Sequence, residues 1–459
     1  ADLSTSPVVA FVRPQADATV DVLAAVTNPT RRVLLLSDLV IRPVTGASLS
    51  ADIVAQSQLR VSGSTASGES GLLGTVSYRV GDGTTDEGSA VTGEATVYLL
   101  PPASEQAPIA VDDRAIVRAG AQIDIPVLDN DVAAVGTRPR LDPESIVASR
   151  PDVLAFAAGD VLRVLAPASP GDLTISYRAF TTGAPALGDT ATVHLSVVGD
   201  GANRDPQPRA LSGRVLSGLS TVIAFDGFGM DPDGDVVRLD RIVDQPAHGS
   251  AVISADGASV VYSSDAGSSG QDTFTYRVVD PSGASGVGTV RVGVLSGDAS
   301  PAPITYTDYV QVQAGDGNVL RVHPLANDID PMQGTLTLQR VRPDVPQFAL
   351  DGSPTAEFTR LQQRLVAQSD DTVTIEAGPT PGTMSFLYDV VSSAGNTARG
   401  LIVVRVVAQR VADFPVVSDT VLDADGRADL ARGIDVLAGK VLWSGGDAGE
   451  LSVGLWGTA

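Results

Sequence analysis

An all-β chain of repeated two-layer sandwiches is predicted from three observations. Gly and Pro are frequent, 47 and 29 of 459 residues, and no long stretch has apolar residues at helical spacing, so the pattern is many short strands joined by turns. Four tyrosines, Tyr78, Tyr177, Tyr276 and Tyr388, fall 99, 99 and 112 residues apart. Pro108, Pro206, Pro303 and Pro415 fall 98, 97 and 112 residues apart, so a second marker recurs at the same period.

Each tyrosine sits in the same local pattern. Val76, Ile175, Phe274 and Phe386 precede it by two positions, and Val80, Ala179, Val278 and Val390 follow it by two, which is a strand with one buried face. Gly71, Gly171, Gly270 and Gly382 open these strands as turn residues. A closing strand follows each time: Thr96-Val97-Tyr98-Leu99, Thr192-Val193-His194-Leu195, Thr289-Val290-Arg291-Val292 and Val403-Val404-Arg405-Val406. The repeats therefore span 1–102, 103–199, 200–297 and 298–408, and 409–459 is expected to be the incomplete start of a fifth, with Trp443 and Trp456 as its core residues. Short proline-containing joints predict domains arranged end to end. The fourth repeat is longer, and Phe358, Leu361 and Leu365 are spaced for one or two helical turns, read first as an ordinary insertion and second as a partner-binding loop.

The formal charge of −23 argues against a nucleic-acid partner, which needs clustered Lys and Arg. Acidity favours solubility and cation binding. There is no cysteine, so stability must come from packing or bound ions. Lys440 is the only lysine, an Arg bias that points to a GC-rich bacterial genome. No run is apolar enough to span a membrane, and with no export signal at Ala1 the chain reads as a segment of a longer protein.

One loop stands out chemically. Asp231, Asp233 and Asp235 place carboxylates at alternate positions around Gly234, a turn that lets several oxygens converge. Calcium takes six to eight oxygens, and this loop supplies three or four of them, with Asn203, Asp205 or Asp280 as further donors. The competing reading is an Asp-Gly turn that only joins two strands. Weaker candidates are Asn130 and Asp131 in the second repeat and Asn327, Asp328 and Asp330 in the fourth, where Asn-Asp also suits a side-chain-to-backbone turn. Three scattered histidines and the lack of a nucleophile elbow select no catalytic set, so the expectation is a non-enzyme.

The third repeat resembles the cadherin-like, immunoglobulin-like tandem repeats of large bacterial surface proteins. The resemblance rests on Asp231-Pro232-Asp233-Gly234-Asp235, Pro246-Ala247-His248-Gly249, Asp256-Gly257 and Gly270-Gln271-Asp272-Thr273-Phe274-Thr275-Tyr276. Val127-Leu128-Asp129-Asn130-Asp131 and Pro324-Leu325-Ala326-Asn327-Asp328-Ile329-Asp330 carry another part of it. It implies tandem immunoglobulin-like β-sandwiches, an extracellular, cell-surface or wall-associated place, and stalks or adhesins often stiffened by calcium. The expected function is a non-enzymatic stalk or spacer whose partners are neighbouring Ig-like domains of the same chain. An adhesin binding a glycan or protein, and an accessory region of a surface hydrolase, are the alternatives.

Overall fold

The computed structural model describes residues 2–84, 88–102, 106–134, 137–182, 184–199, 201–297, 301–349, 351–409, 415–417, 433–443 and 448–454; Trp456 lies outside them. Four sandwiches, each with its own apolar core, account for most of these residues. Only the strands of the larger sheets are numbered below.

In the first sandwich these are β1 (Val8–Val12), β2 (Leu35–Pro43), β3 (Gly71–Gly81) and β4 (Ala90–Leu99), in the order β1-β4-β3-β2. The second has β5 (Asp113–Arg118), β6 (Pro139–Leu141), β7 (Gly171–Thr181) and β8 (Ala184–Val198). The third has β9 (Leu211–Leu216), β10 (Arg238–Asp244), β11 (Gly270–Val279) and β12 (Ser285–Leu295). The fourth has β13 (Asp308–Gln313), β14 (Leu336–Pro343), β15 (Gly382–Ser392) and β16 (Thr397–Val407). Strand order repeats in all four, and in each the first strand of the set runs parallel to the last. A three-stranded antiparallel sheet closes the other face of each core, as an immunoglobulin-like sandwich requires.

The period tyrosines are at most 1% exposed and form the centre of each core. The position opposite each on the closing strand is Gly93, Ala191, Gly288 or Gly400. Space explains the glycines: a Cβ at Gly288 would sit 2.5 Å from the ring of Tyr276. In the third sandwich, buried Asp272 accepts from the backbone N–H of Ala247 and His248 and from the Tyr262 hydroxyl. Hydrogen bonds through Asp272 thus tie the Pro-Ala-His-Gly and Gly-Gln-Asp motifs together across the sandwich.

In the fourth sandwich the insertion forms α1 (Ala356–Gln362), capped by Thr355, and Leu361 enters the core. The fifth block shows a short pairing of Val416–Val417 with Val441–Leu442. No described helix is long and apolar enough to cross a membrane.

The second and third sandwiches meet through an extensive joint, but a simple end-to-end file is not what the first sandwich adopts. It touches the third, where Arg214 Nε donates to Leu34 O at 2.6 Å and Gln271 Nε2 donates to Val33 O and Asp82 O. It also touches the fourth, where Thr307 N donates to Asp17 and the Arg60 guanidinium lies 5.2 Å from the Tyr306 ring centroid. The physical reason is that a short proline-containing joint limits reach without fixing direction, so matching polar groups on the flanks decide where a sandwich docks.

The tyrosine–glycine pairing carries a stability prediction. Gly288→Ala should destabilise the third sandwich by about 1–3 kcal/mol through overpacking against Tyr276, read as a lower urea midpoint at unchanged slope.

Candidate cation site at the joint of the second and third sandwiches

The acidic loop is built by local chemistry. Buried Met230 anchors its start in the core of the third sandwich, while the preceding Phe228 packs against the core of the second. Asp231 Oδ1 accepts from the N–H of Asp233 at 2.7 Å and of Asp235 at 3.4 Å, folding the loop over its own side chain. Gly234 has φ of +77° and lies against β5, where a Cβ would come within 2.5 Å of Ile116 O. Only glycine meets both demands.

Two arginines neutralise part of the loop. Arg118, at the end of β5 in the second sandwich, donates from Nε and Nη2 to the two oxygens of Asp235, both at 2.7 Å, and its Nη2 is 3.6 Å from Asp233. This bidentate pair crosses from one sandwich to the next. Arg204, in the linking segment, donates from its backbone N–H and from Nε to Asp233, both at 2.7 Å. Its bonds hold the Asp233 carboxyl below the usual range, and Asp235 beside Arg118 raises the guanidinium's affinity for its proton.

A fourth carboxylate completes the site. Asp280, just after β11, accepts from Ala284 N at 2.9 Å and from Asn203 Nδ2 at 2.8 Å. One oxygen each of Asp231, Asp235 and Asp280 lie within 4.8 Å of one another, and all three residues are buried. Asp231 Oδ2 is buried without a hydrogen-bond partner, and burial raises the Asp231 pKa despite two backbone donors. Four carboxylates thus face two guanidinium groups, and the orphan oxygen, with the convergence of three hard donors, fits a divalent cation. Asp233 is turned to Arg204 instead, and Asp280 takes the third place in the cluster.

The weaker candidates are placed differently. Asp131 Oδ1 accepts from Val111 N at 2.8 Å and lies 3.4 Å from the Tyr177 hydroxyl, while Asn130 Nδ2 donates to Asp112 O. Asp328 accepts from Tyr306 N at 3.0 Å and from the Tyr388 hydroxyl at 2.9 Å. Asn327 Nδ2 donates to Asp308, and Asp330 accepts from Met332 N and Gly334 N within its own loop. These acids are engaged inside their own sandwiches, and although Asp131 Oδ2 is also buried without a hydrogen-bond partner, no described cluster of acids converges on it. Among the described residues, the one converging acid cluster is that of Asp231, Asp235 and Asp280.

Sequence reasoning missed Asp113 and Asp308, the first residues of β5 and β13. Tyr177 donates to Asp113 at 3.0 Å, and burial, partly offset by that bond, pushes the Asp113 carboxyl up to about 6. Asp308 is pushed up to about 8 by burial and then by the negative charge of Asp328, itself raised to about 6 by burial. The signal was available, since β1 and β9 carry Val8 and Leu211 at the equivalent position.

These acids bind protons more tightly in the folded chain than at the unfolded value of about 3.9. The stability they add is full below that value and is lost as pH rises through about 6 for Asp113 and Asp328 and about 8 for Asp308. Calorimetry should show the second and fourth sandwiches melting at lower temperature at pH 8.5 than at pH 5, and Asp308→Asn should flatten the upper part of that slope.

Residues 203–293 match the family described as bacterial Ig domain. None of the curated proteins matches the chain. Among solved structures, Sidekick-1 immunoglobulin domains 1–4 align over 88% of this chain and 99% of that one, at 11% identity and a TM-score of 0.26. The human Desmocollin-1 ectodomain aligns over 89% and 80%, at 11% identity and a TM-score of 0.17. Endo-fucoidan hydrolase MfFcnA4 from glycoside hydrolase family 107 aligns over 67% and 45%, at 13% identity and a TM-score of 0.19. Scores this low bear on neither the arrangement nor the function of this chain. One strand order is shared by four sandwiches and the family match falls on the third, so the chain is a tandem of Ig-like sandwiches in which residues 203–293 match the bacterial Ig domain.

Proposed function

We propose that the chain is a non-enzymatic spacer segment of a large bacterial surface or secreted protein, working outside the cell, and that the second and third sandwiches are its stiff element. A tandem of Ig-like domains is a structural or adhesion-type module, and the bacterial Ig match suggests an extracellular or surface place. The observation that carries the finer reading is the Arg118–Asp235 clasp, made across the joint and backed by Phe228 on the neighbouring core and Gly234 against β5. Polar and apolar contacts in one joint restrict bending in a way that a bare linker does not.

Calcium belongs to this reading as a second fastener. Asp231, Asp235 and Asp280 would hold it, and when bound it would supply the positive charge that two arginines leave short. Arg118 then shares Asp235 with the ion, so clasp and ion act on the same joint.

An adhesin is the second reading, favoured by an open groove of about 400 Å³ in the fourth sandwich. It is lined by Arg340, Arg342, Asp344 and Phe358 beside the inserted helix, and its mixed charged and aromatic lining suits a polar ligand.

Because the chain has no cysteine, two introduced cysteines, one in each sandwich, can carry spin labels without background. A narrow distance distribution across the joint is expected, broadening in Arg118→Ala; a broad distribution in the unaltered chain would sink the stiff-element reading. Calcium is tested separately. Millimolar calcium should raise the melting temperature of the third sandwich and Asp280→Asn should abolish the rise; no shift in the unaltered chain removes calcium and leaves the clasp.

A further inference from the structure

The edge strands of the four larger sheets are not equivalent. β5, β9 and β13 carry charges, Asp113, Arg114 and Arg118, then Arg214, then Asp308, and each is contacted by another sandwich. Charged side chains on an edge are what discourages pairing with a foreign strand. β1 reads Val8-Val9-Ala10-Phe11-Val12, with no charge at all. It is an edge strand bonded to β4 alone, and among the described residues no hydrogen bond from another sandwich reaches it.

Its outward face is also unusual. Val9 is 54% and Phe11 42% exposed. The register places Phe11 beside Tyr98 and Tyr98 beside Leu72, a row of three large apolar side chains across three strands, with the two rings 6.1 Å apart. By the same register the other sandwiches pair Ile116 with Ser196, Arg214 with Gly293 and Gln311 with Arg405 where this one pairs Phe11 with Tyr98. None of these pairs carries an aromatic ring, so the apolar row is particular to the first sandwich.

We propose that β1 is a self-association edge, at which two copies of this chain pair their β1 strands antiparallel about a twofold axis through Ala10. Val12 O accepts from Leu100 N, so by alternation the backbone groups of Val8, Ala10 and Val12 face β4, and those of Val9 and Phe11 face outward. Pairing about Ala10 sets Val9 of one copy opposite Phe11 of the other, twice, and both residues exchange their free N–H and C=O groups. Val8 then meets Val12. The segment is apolar and nearly palindromic about Ala10, which is what an isologous contact asks of a single strand. Each apolar row continues into the other copy, from Leu72, Tyr98 and Phe11 to the partner copy's Val9. A second copy is the occupant because this edge already holds the complement to itself.

Two five-residue strands bury far less than the roughly 1,600 Å² of a standard interface, so the dimer should form on the order of 10–100 μM. The net charge of −23 opposes it, and added salt should therefore strengthen association, the reverse of an ion-paired dimer. Sedimentation equilibrium of the full chain should show a monomer–dimer equilibrium that Phe11→Lys shifts at least about tenfold towards monomer. Ile116→Lys, on the exposed face of β5, should leave it unchanged. Should Phe11→Lys not fold, Val9→Lys serves in its place, and hydrogen exchange on the unaltered chain should slow at the Val9 and Phe11 amides as concentration rises. A chain that stays monomeric to millimolar concentration, a dimer indifferent to Phe11→Lys and Val9→Lys, or amides whose exchange ignores concentration overturns the proposal.

Discussion

The hydroxyl of a tyrosine at the centre of a small sandwich is costly to bury unpaired; Tyr78 Oη is left without a hydrogen-bond partner in the first sandwich, and the other three meet the need in two ways. In the third sandwich Tyr276 donates to a backbone carbonyl, Arg209 O at 2.6 Å. In the second and fourth, Tyr177 and Tyr388 lean on carboxylates, Asp113 with Asp131 and Asp328 respectively. A backbone partner adds no charge to the interior, whereas a carboxylate partner brings a group whose burial raises its pKa. The third sandwich has Gly229 where the fourth has Asp328, so no acid at that position serves Tyr276; it keeps buried Asp272 for Tyr262 and carries three further acids in the loop after Met230. One repeat plan thus yields two uses of acidic residues, one closing a core and one closing a joint.

At that joint, arginine answers an electrostatic problem. A loop with three carboxylates cannot be packed against a neighbour unless its charge is answered, since desolvated like charges raise one another's energy. Arg118 answers it with a planar fork that fits Asp235 in two bonds, and because it comes from the other sandwich it also fixes orientation. The two arginines leave Asp231 Oδ2 unanswered.

The strand pattern, the four-fold repetition and the position of the acidic loop were legible because they depend on local alternation and on fixed spacing, as at Phe274, Tyr276 and Val278. The partners of the loop were less so. Arg118 lies 117 residues from Asp235 and sits in a strand with another arginine, Arg114, four positions earlier, so nothing local distinguishes the two. Asp280 could be named as a donor but not chosen over Asp233, because the choice depends on Arg204 folding back onto Asp233. The docking of the first sandwich on the third and fourth depends on single groups such as Gln271 and Asp17, which carry no periodic signal.

Edge strands set a limit on any tandem of sandwiches. Each repeat exposes an unpaired row of backbone groups, and a chain that holds several copies of one fold places similar edges close together, where cross-pairing between repeats would misfold it. Charges on β5, β9 and β13 suppress that outcome within the chain. An edge without charge can therefore persist in one repeat only, because two such strands in one polypeptide would find each other at a far higher effective concentration than strands on separate chains. That β1 is apolar while its three counterparts are not is consistent with this rule: the strand left open to an outside copy is the one with no like-edged neighbour on its own chain.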